Sequence, residues 1–82
     1  MMTIEQMRQL PQAIQEGIYK QFYSAYLLAV ESDRMDLEID YVKSIDQARE
    51  IFNLSTVTAE KLEAAVRYSH KWAAKILREY NK

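Results

Sequence analysis

The sequence predicts an all-α fold, a small antiparallel bundle of three main helices with a short N-terminal helix before them, and three observations carry that prediction. The 82 residues include one glycine and one proline, so the turn chemistry that hairpins need is scarce, while residues that lose little entropy in a helix are abundant. Hydrophobic residues make up 49% of the chain, which supplies a core for one domain of a size that buries roughly 60% of its unfolded surface. Apolar residues also recur at helical spacing through residues 11–31 and 59–80.

Taken in order, Thr3 and Gln6 form a capping-box pattern that predicts a short helix over residues 4–10, with Ile4, Met7 and Leu10 as its apolar side. Pro11 belongs in the first turn of the next helix, where a missing N–H costs nothing. That helix, residues 11–31, has two apolar stripes. Ile14, Ile18, Phe22, Ala25 and Ala29 fall on one side, and Tyr19, Tyr23, Tyr26, Leu27 and Val30 on another. A helix able to bury two faces belongs at the centre of the bundle. Gly17 in its interior costs about 1 kcal/mol relative to Ala, which predicts a point where another helix approaches closely.

Ser32 and Asp33 mark a boundary, because their side chains compete with helical backbone hydrogen bonds. The following run, residues 34–42, is ambiguous. Leu37, Ile39 and Tyr41 alternate with Asp36, Glu38 and Asp40 like a strand, while Met35, Ile39 and Val42 fit a helix. A single strand has no partner in a helical chain, so a helix over residues 34–53 is predicted. Ser44 and Gln47 make a second capping-box pattern, with a break near Lys43 and Ser44. Asn53 suits a left-handed helix end, and Leu54 and Val57 can tuck inward. Thr58 then caps the last helix, whose face runs through Leu62, Ala65, Val66, Ser69, Trp72, Ala73, Ile76, Leu77 and Tyr80.

For function, composition excludes more than it selects. Without cysteine there is no disulfide framework and no thiolate site, which permits a cytoplasmic location, the expected one. The N-terminal residues lack a basic start followed by an apolar run, and no stretch reaches the ~20 apolar residues of a membrane span, so no membrane association is expected. The formal charge is −1, but its distribution is uneven. Residues 31–57 carry seven acids and three bases, and residues 58–82 carry three acids and six bases.

Tyr19, Phe22, Tyr23 and Tyr26 crowd one helix, and two readings of this cluster stand: a core, or an interface for a partner or a second copy of the chain. The acidic run that includes Asp36, Glu38 and Asp40 is not a calcium loop, since it has no glycine at the sharp turn. It reads as a solvated face, as a partner for the basic last helix, or as a surface that mimics phosphates in a basic groove. His70 is the single histidine. With no other imidazole or thiolate a metal site is not expected, and no cofactor signature is present. A Ser or Lys activated by His70 would need a third, orienting group, and no pattern supplies one, so enzyme activity is not expected.

Arg67, Lys71, Lys75, Arg78 and Lys82 form a basic stripe. Ala48, Phe52, Leu54, Ala59 and Leu62 have the apolar spacing of a helix-turn-helix, but Arg49 stands where a small residue is required, and Glu60 and Glu63 fall on the turns that would read DNA. The sequence therefore favours a small protein-interaction module, an adaptor, inhibitor or regulator of a larger partner and a candidate homodimer. Small cysteine-free inhibitors of this class are common on phages and plasmids. The residues expected to meet the partner are Tyr19, Tyr23, Tyr26, Asp36, Glu38 and Asp40. A helix-turn-helix regulator that binds nucleic acid is the alternative.

Overall fold

The computed structural model describes residues 2–80. These form four helices and no strand: α1 (Ile4–Arg8), α2 (Gln12–Glu31), α3 (Met35–Ile51) and α4 (Thr56–Tyr80). The all-α class is as the composition predicts. Helices α3 and α4 both pack on α2, which is the central element of the bundle.

Local chemistry explains each boundary. The capping box of α1 forms as expected, with the Gln6 N–H donating to Thr3 Oγ1 at 3.2 Å and the Thr3 N–H to Gln6 Oε1 at 2.9 Å. The helix ends at Arg8, two residues early, and Pro11 stands outside α2 as its cap with φ −53°. Gln15 Nε2 donates to the carbonyls of Arg8 and Leu10, at 2.9 and 3.0 Å, and so ties α1 and α2 into a bent pair.

The α2–α3 and α3–α4 corners share one construction. Asp33 and Asn53 adopt left-handed φ values of 57° and 51°. The Arg34 and Leu54 N–H groups reach back to the carbonyls of Ala29 and Arg49, each at 3.0 Å, and the Asp33 and Asn53 N–H groups reach Val30 and Glu50. Both are Schellman motifs, built on a short polar residue in place of glycine.

Two expectations are corrected in α3 and α4. Residues 35–51 run as one unbroken helix, and Ser44 caps nothing: its hydroxyl donates to the Asp40 carbonyl one turn back, at 3.2 Å. Helix α4 begins at Thr56 because the cap is Ser55, whose Oγ accepts the Thr58 N–H at 3.1 Å. The cap expected at Thr58 is thus supplied three residues upstream by Ser55, and Thr58 lies inside the first turn as its donor.

The core sits at one end of the bundle. Tyr19 and Tyr23 of α2 meet Ile45, Ala48 and Phe52 of the α3 end, and Ala59, Leu62 and Val66 of the α4 start. Met7, Ile18, Phe22, Tyr26, Leu27, Ile51 and Leu54 close around this cluster. Helix α4 was expected to bury one face along its whole length, and it does not. Residues 71–80 are exposed throughout, because α2 and α4 part beyond His70 and leave an open groove of about 410 Å³ between Leu28 and Leu77. The chain measures 48 × 27 × 25 Å, elongated by a final helix of which only the first turns are covered.

Gly17 also departs from expectation. No atom lies within 4 Å of the place a Cβ would occupy. The glycine borders an open groove of about 370 Å³ with Lys20, Ser24, Ala65, Ser69 and His70, so no helix presses on it.

Candidate interaction site

The tyrosine cluster divides. Tyr19 has no exposed surface and Tyr23 is buried, so these two rings are core and cannot present a face to a partner. The apolar side of α2 packs against α3 and α4, and these two rings belong to the core between them. Tyr23 Oη accepts a hydrogen bond from Arg67 Nη1 at 2.8 Å, and the guanidinium lies 6.0 Å from its ring centroid. Tyr19 Oη is buried without a partner. Burial pushes its phenol above the ordinary value, with the nearby Glu63 charge adding to the shift. Tyr26 is different: its ring lies 6.0 Å from that of Tyr23, on the edge of the core, and its outer side lines a cleft.

That cleft runs between the α2 end and the α3 start and encloses about 360 Å³. Tyr26, Met35, Ile39 and Val42 supply its apolar lining, and Glu38 and Lys43 complete it. Met35, Ile39 and Val42 are 69%, 56% and 43% exposed, so the stripe they form is open to solvent. These residues recur at i, i+4 and i+7 on a side of α3 about 110° round from Ile45, Ala48 and Phe52, and adjoin the core there through Val42. Wound at 100° per residue, Glu38 flanks the stripe on one side and Lys43 on the other, with Asp36 and Asp40 farther round the helix beyond Lys43.

The three carboxylates are not equivalent. Asp36 accepts from Arg34 Nε and Nη2, at 3.2 and 3.0 Å, and these bonds hold its carboxyl below the usual carboxylate range. This is the one ion pair among the described residues. The acidic run therefore does not neutralise the basic stripe of α4, which was one of the readings of the charge asymmetry. Lys71, Lys75 and Arg78 point into solvent; Lys82 lies outside the described residues. Arg67 is committed to Tyr23, and Lys75 Nζ stands 5.3 Å from the Trp72 ring.

His70 has a partner that sequence spacing does not reveal: its Nε2 lies 2.8 Å from Ser24 Oγ, 46 residues away. The pair spans the groove between α2 and α4. Ser24 is in the interior of α2, where backbone N–H groups are engaged in the helix, and Lys20, Gln21 and Ser69 line the same groove. The contact joins two helices. Among the helix-turn-helix positions, Ala48, Phe52, Ala59 and Leu62 are buried and Leu54 is partly buried.

Sequence reasoning marked Tyr26, Asp36, Glu38 and Asp40, which the fold brings to one end of the α2–α3 pair, and passed over Met35, Ile39 and Val42 as site residues. A signal for them was present in their i, i+4, i+7 spacing on a face beside that of the core residues of the same helix. No group of His, Cys, Asp and Glu among the described residues is arranged to hold a metal ion, and no described helix is long and apolar enough to cross a membrane. No protein-family model, curated protein or solved structure matches the chain.

Proposed function

We propose that this chain is a small protein-interaction module that acts in the cytoplasm as an adaptor, inhibitor or regulator of a larger protein. The observation that carries this reading is the open apolar cleft of Tyr26, Met35, Ile39 and Val42 with Glu38 and Lys43 in its lining and Asp36 and Asp40 farther round the same helix. Such a surface suits an amphipathic helix whose apolar side chains enter the cleft and whose Lys or Arg residues meet the carboxylates. Tyr26 is the aromatic anchor of the site, half-embedded in the core and hence rigid. The test is affinity purification from the source cell with wild-type and Ile39→Asp baits, each with nuclease. A protein captured by the wild type and lost with Ile39→Asp supports the reading; a set of captured proteins that Ile39→Asp leaves unchanged overturns it.

One observation favours a second reading, binding of nucleic acid: Lys71, Lys75 and Arg78 are exposed and free of carboxylate partners among the described residues. That reading requires affinity for duplex that falls steeply with salt and is lost in Lys71→Glu. Absence of binding at moderate salt ends it.

A further inference from the structure

We infer that a second copy of this chain docks antiparallel along the outer stripe of α4. Lys61, Ala65, Tyr68, Trp72, Ile76 and Glu79 follow one another at intervals of three and four residues, so they share a face of the helix. All six are exposed, with Tyr68, Trp72 and Ile76 at 63%, 46% and 56%. The buried residues of the same helix, Ala59, Leu62 and Val66, form a different face, the one that meets α2 and the core. The stripe is thus an exposed apolar seam, bordering the α2–α4 groove at Ala65 and ended by Lys61 on one side and Glu79 on the other.

The occupant is specified by the symmetry of this seam. Lys61 and Glu79 stand at equal distances in sequence on either side of residue 70, and so do Tyr68 and Trp72. An antiparallel copy aligned at that level sets Lys61 of each chain against Glu79 of the other, and Tyr68 of each against Trp72 of the other. Within one chain these two rings already meet edge to face at 6.2 Å, so the pairing assembles four rings in an arrangement aromatic side chains favour. Ile76 arrives beside Ala65 of the second copy, where a small side chain leaves room. A parallel copy in register would instead oppose Lys61 to Lys61 and Glu79 to Glu79. The basic residues Lys71 and Arg78 lie outside the seam, and Lys75, whose ammonium lies 5.3 Å from the Trp72 ring, borders it at the level of the second copy's Ala65, away from that copy's Lys61.

The pairing also gives residues 71–80 a reason to be helical. A projecting segment of this length is marginal as an isolated helix in water, and an antiparallel mate covers the seam along it. The inference goes beyond the interaction-module reading and uses a different surface, so each can fail alone. A monomer that keeps its cleft partner overturns this one; a dimer with no cleft partner overturns the other.

Charge exchange is the test, with sedimentation equilibrium as the measurement and circular dichroism as the check on folding. The wild type is expected to show a concentration-dependent dimer. Lys61→Glu and Glu79→Lys should each weaken it by about tenfold or more, since two symmetry-related pairs turn repulsive, and the double exchange in one chain should restore it. Because the chain has no cysteine, a second readout is clean. Under mild oxidation, a mixture of Lys61→Cys and Glu79→Cys proteins should cross-link, and neither protein alone should do so, because identical positions lie about five turns apart along the seam. A protein that stays monomeric at high concentration, single variants that dimerise like the wild type, or cross-linking of Lys61→Cys with itself would each overturn the antiparallel pairing.

Discussion

Tyr19 concentrates the tension in the core. It has the largest fully buried side chain among the described residues, and its hydroxyl has no hydrogen-bond partner. A buried unsatisfied hydroxyl costs about 1–3 kcal/mol, whereas the ring around it contributes packing. Tyr19→Phe keeps the ring and removes the orphan oxygen, so it is expected to raise stability by about 1 kcal/mol, read as a higher urea midpoint at unchanged slope. Tyr19→Ala, by contrast, should cost about 3–5 kcal/mol, a large share of the stability of any small domain. The phenol also predicts a pH dependence. Its pKa is raised in the folded chain, so the folded state holds the proton more tightly than the unfolded one. That contribution is complete below the ordinary tyrosine pKa and is lost as pH rises through the higher folded value. Stability should therefore fall at alkaline pH, and less steeply in Tyr19→Phe. Identical alkaline profiles for the two proteins would show that Tyr19 is not the group responsible.

At the scale of the helices, Gly17 gives the sharpest expectation, because its environment reverses the reading its sequence position suggests. The groove beside it is open and its backbone is ordinary helix, so a methyl group meets nothing. Gly17→Ala should stabilise the chain by about 1 kcal/mol, by raising helix propensity and restricting the unfolded state. A drop in melting temperature would mean that α4 closes over this groove in solution. Loss of the Ser55 cap in Ser55→Ala should cost about 1 kcal/mol, and Thr58→Ala should cost less, since it gives up the Ser55 Oγ to Thr58 Oγ1 bond but keeps the Thr58 N–H bond to Ser55 Oγ that makes the cap. These cases show what the sequence made legible and what it withheld. The box of Thr3 and Gln6, the left-handed Asn53 and the periodicity of the long helices depend on neighbours within a few residues, so spacing alone reveals them. Ser44 and Ser55 carry the same hydroxyl, and which of them caps depends on whether the helix before it has ended. The pairs Ser24–His70 and Tyr23–Arg67 depend on how α4 crosses α2, which no local pattern encodes. The length over which α4 is covered depends on where α2 and α4 part, and so the same apolar spacing is core at Leu62 and Val66 and surface at Trp72 and Ile76.

Over the whole molecule, charge is segregated and stays so. Acids cluster around α3, bases along the projecting half of α4, and the fold leaves the two sets apart, with the lone ion pair of the described residues local to Arg34 and Asp36. A chain whose opposite charges do not meet in its own fold has them available to others, and each set borders an exposed apolar surface of its own. For the cleft this gives a prediction that separates working charge from solubilising charge. Replacing Glu38 and Asp40 by Lys, with Asp36 left to hold Arg34, removes the carboxylate that lines the cleft beside Met35, Ile39 and Val42 and the one farther round the helix, without touching a buried residue. The helical signal and melting temperature should stay close to wild type, since neither carboxylate has a side-chain partner among the described residues. Affinity for the cleft partner should fall by about tenfold or more at low salt, mainly through slower association, and wild-type affinity should itself decline as salt is added. The two proteins should then converge at high salt, where screening leaves only the apolar contact that Ile39→Asp destroys. Equal affinity of the double variant and the wild type across the salt series would remove the carboxylates from the site and leave recognition to Tyr26, Met35, Ile39 and Val42 alone.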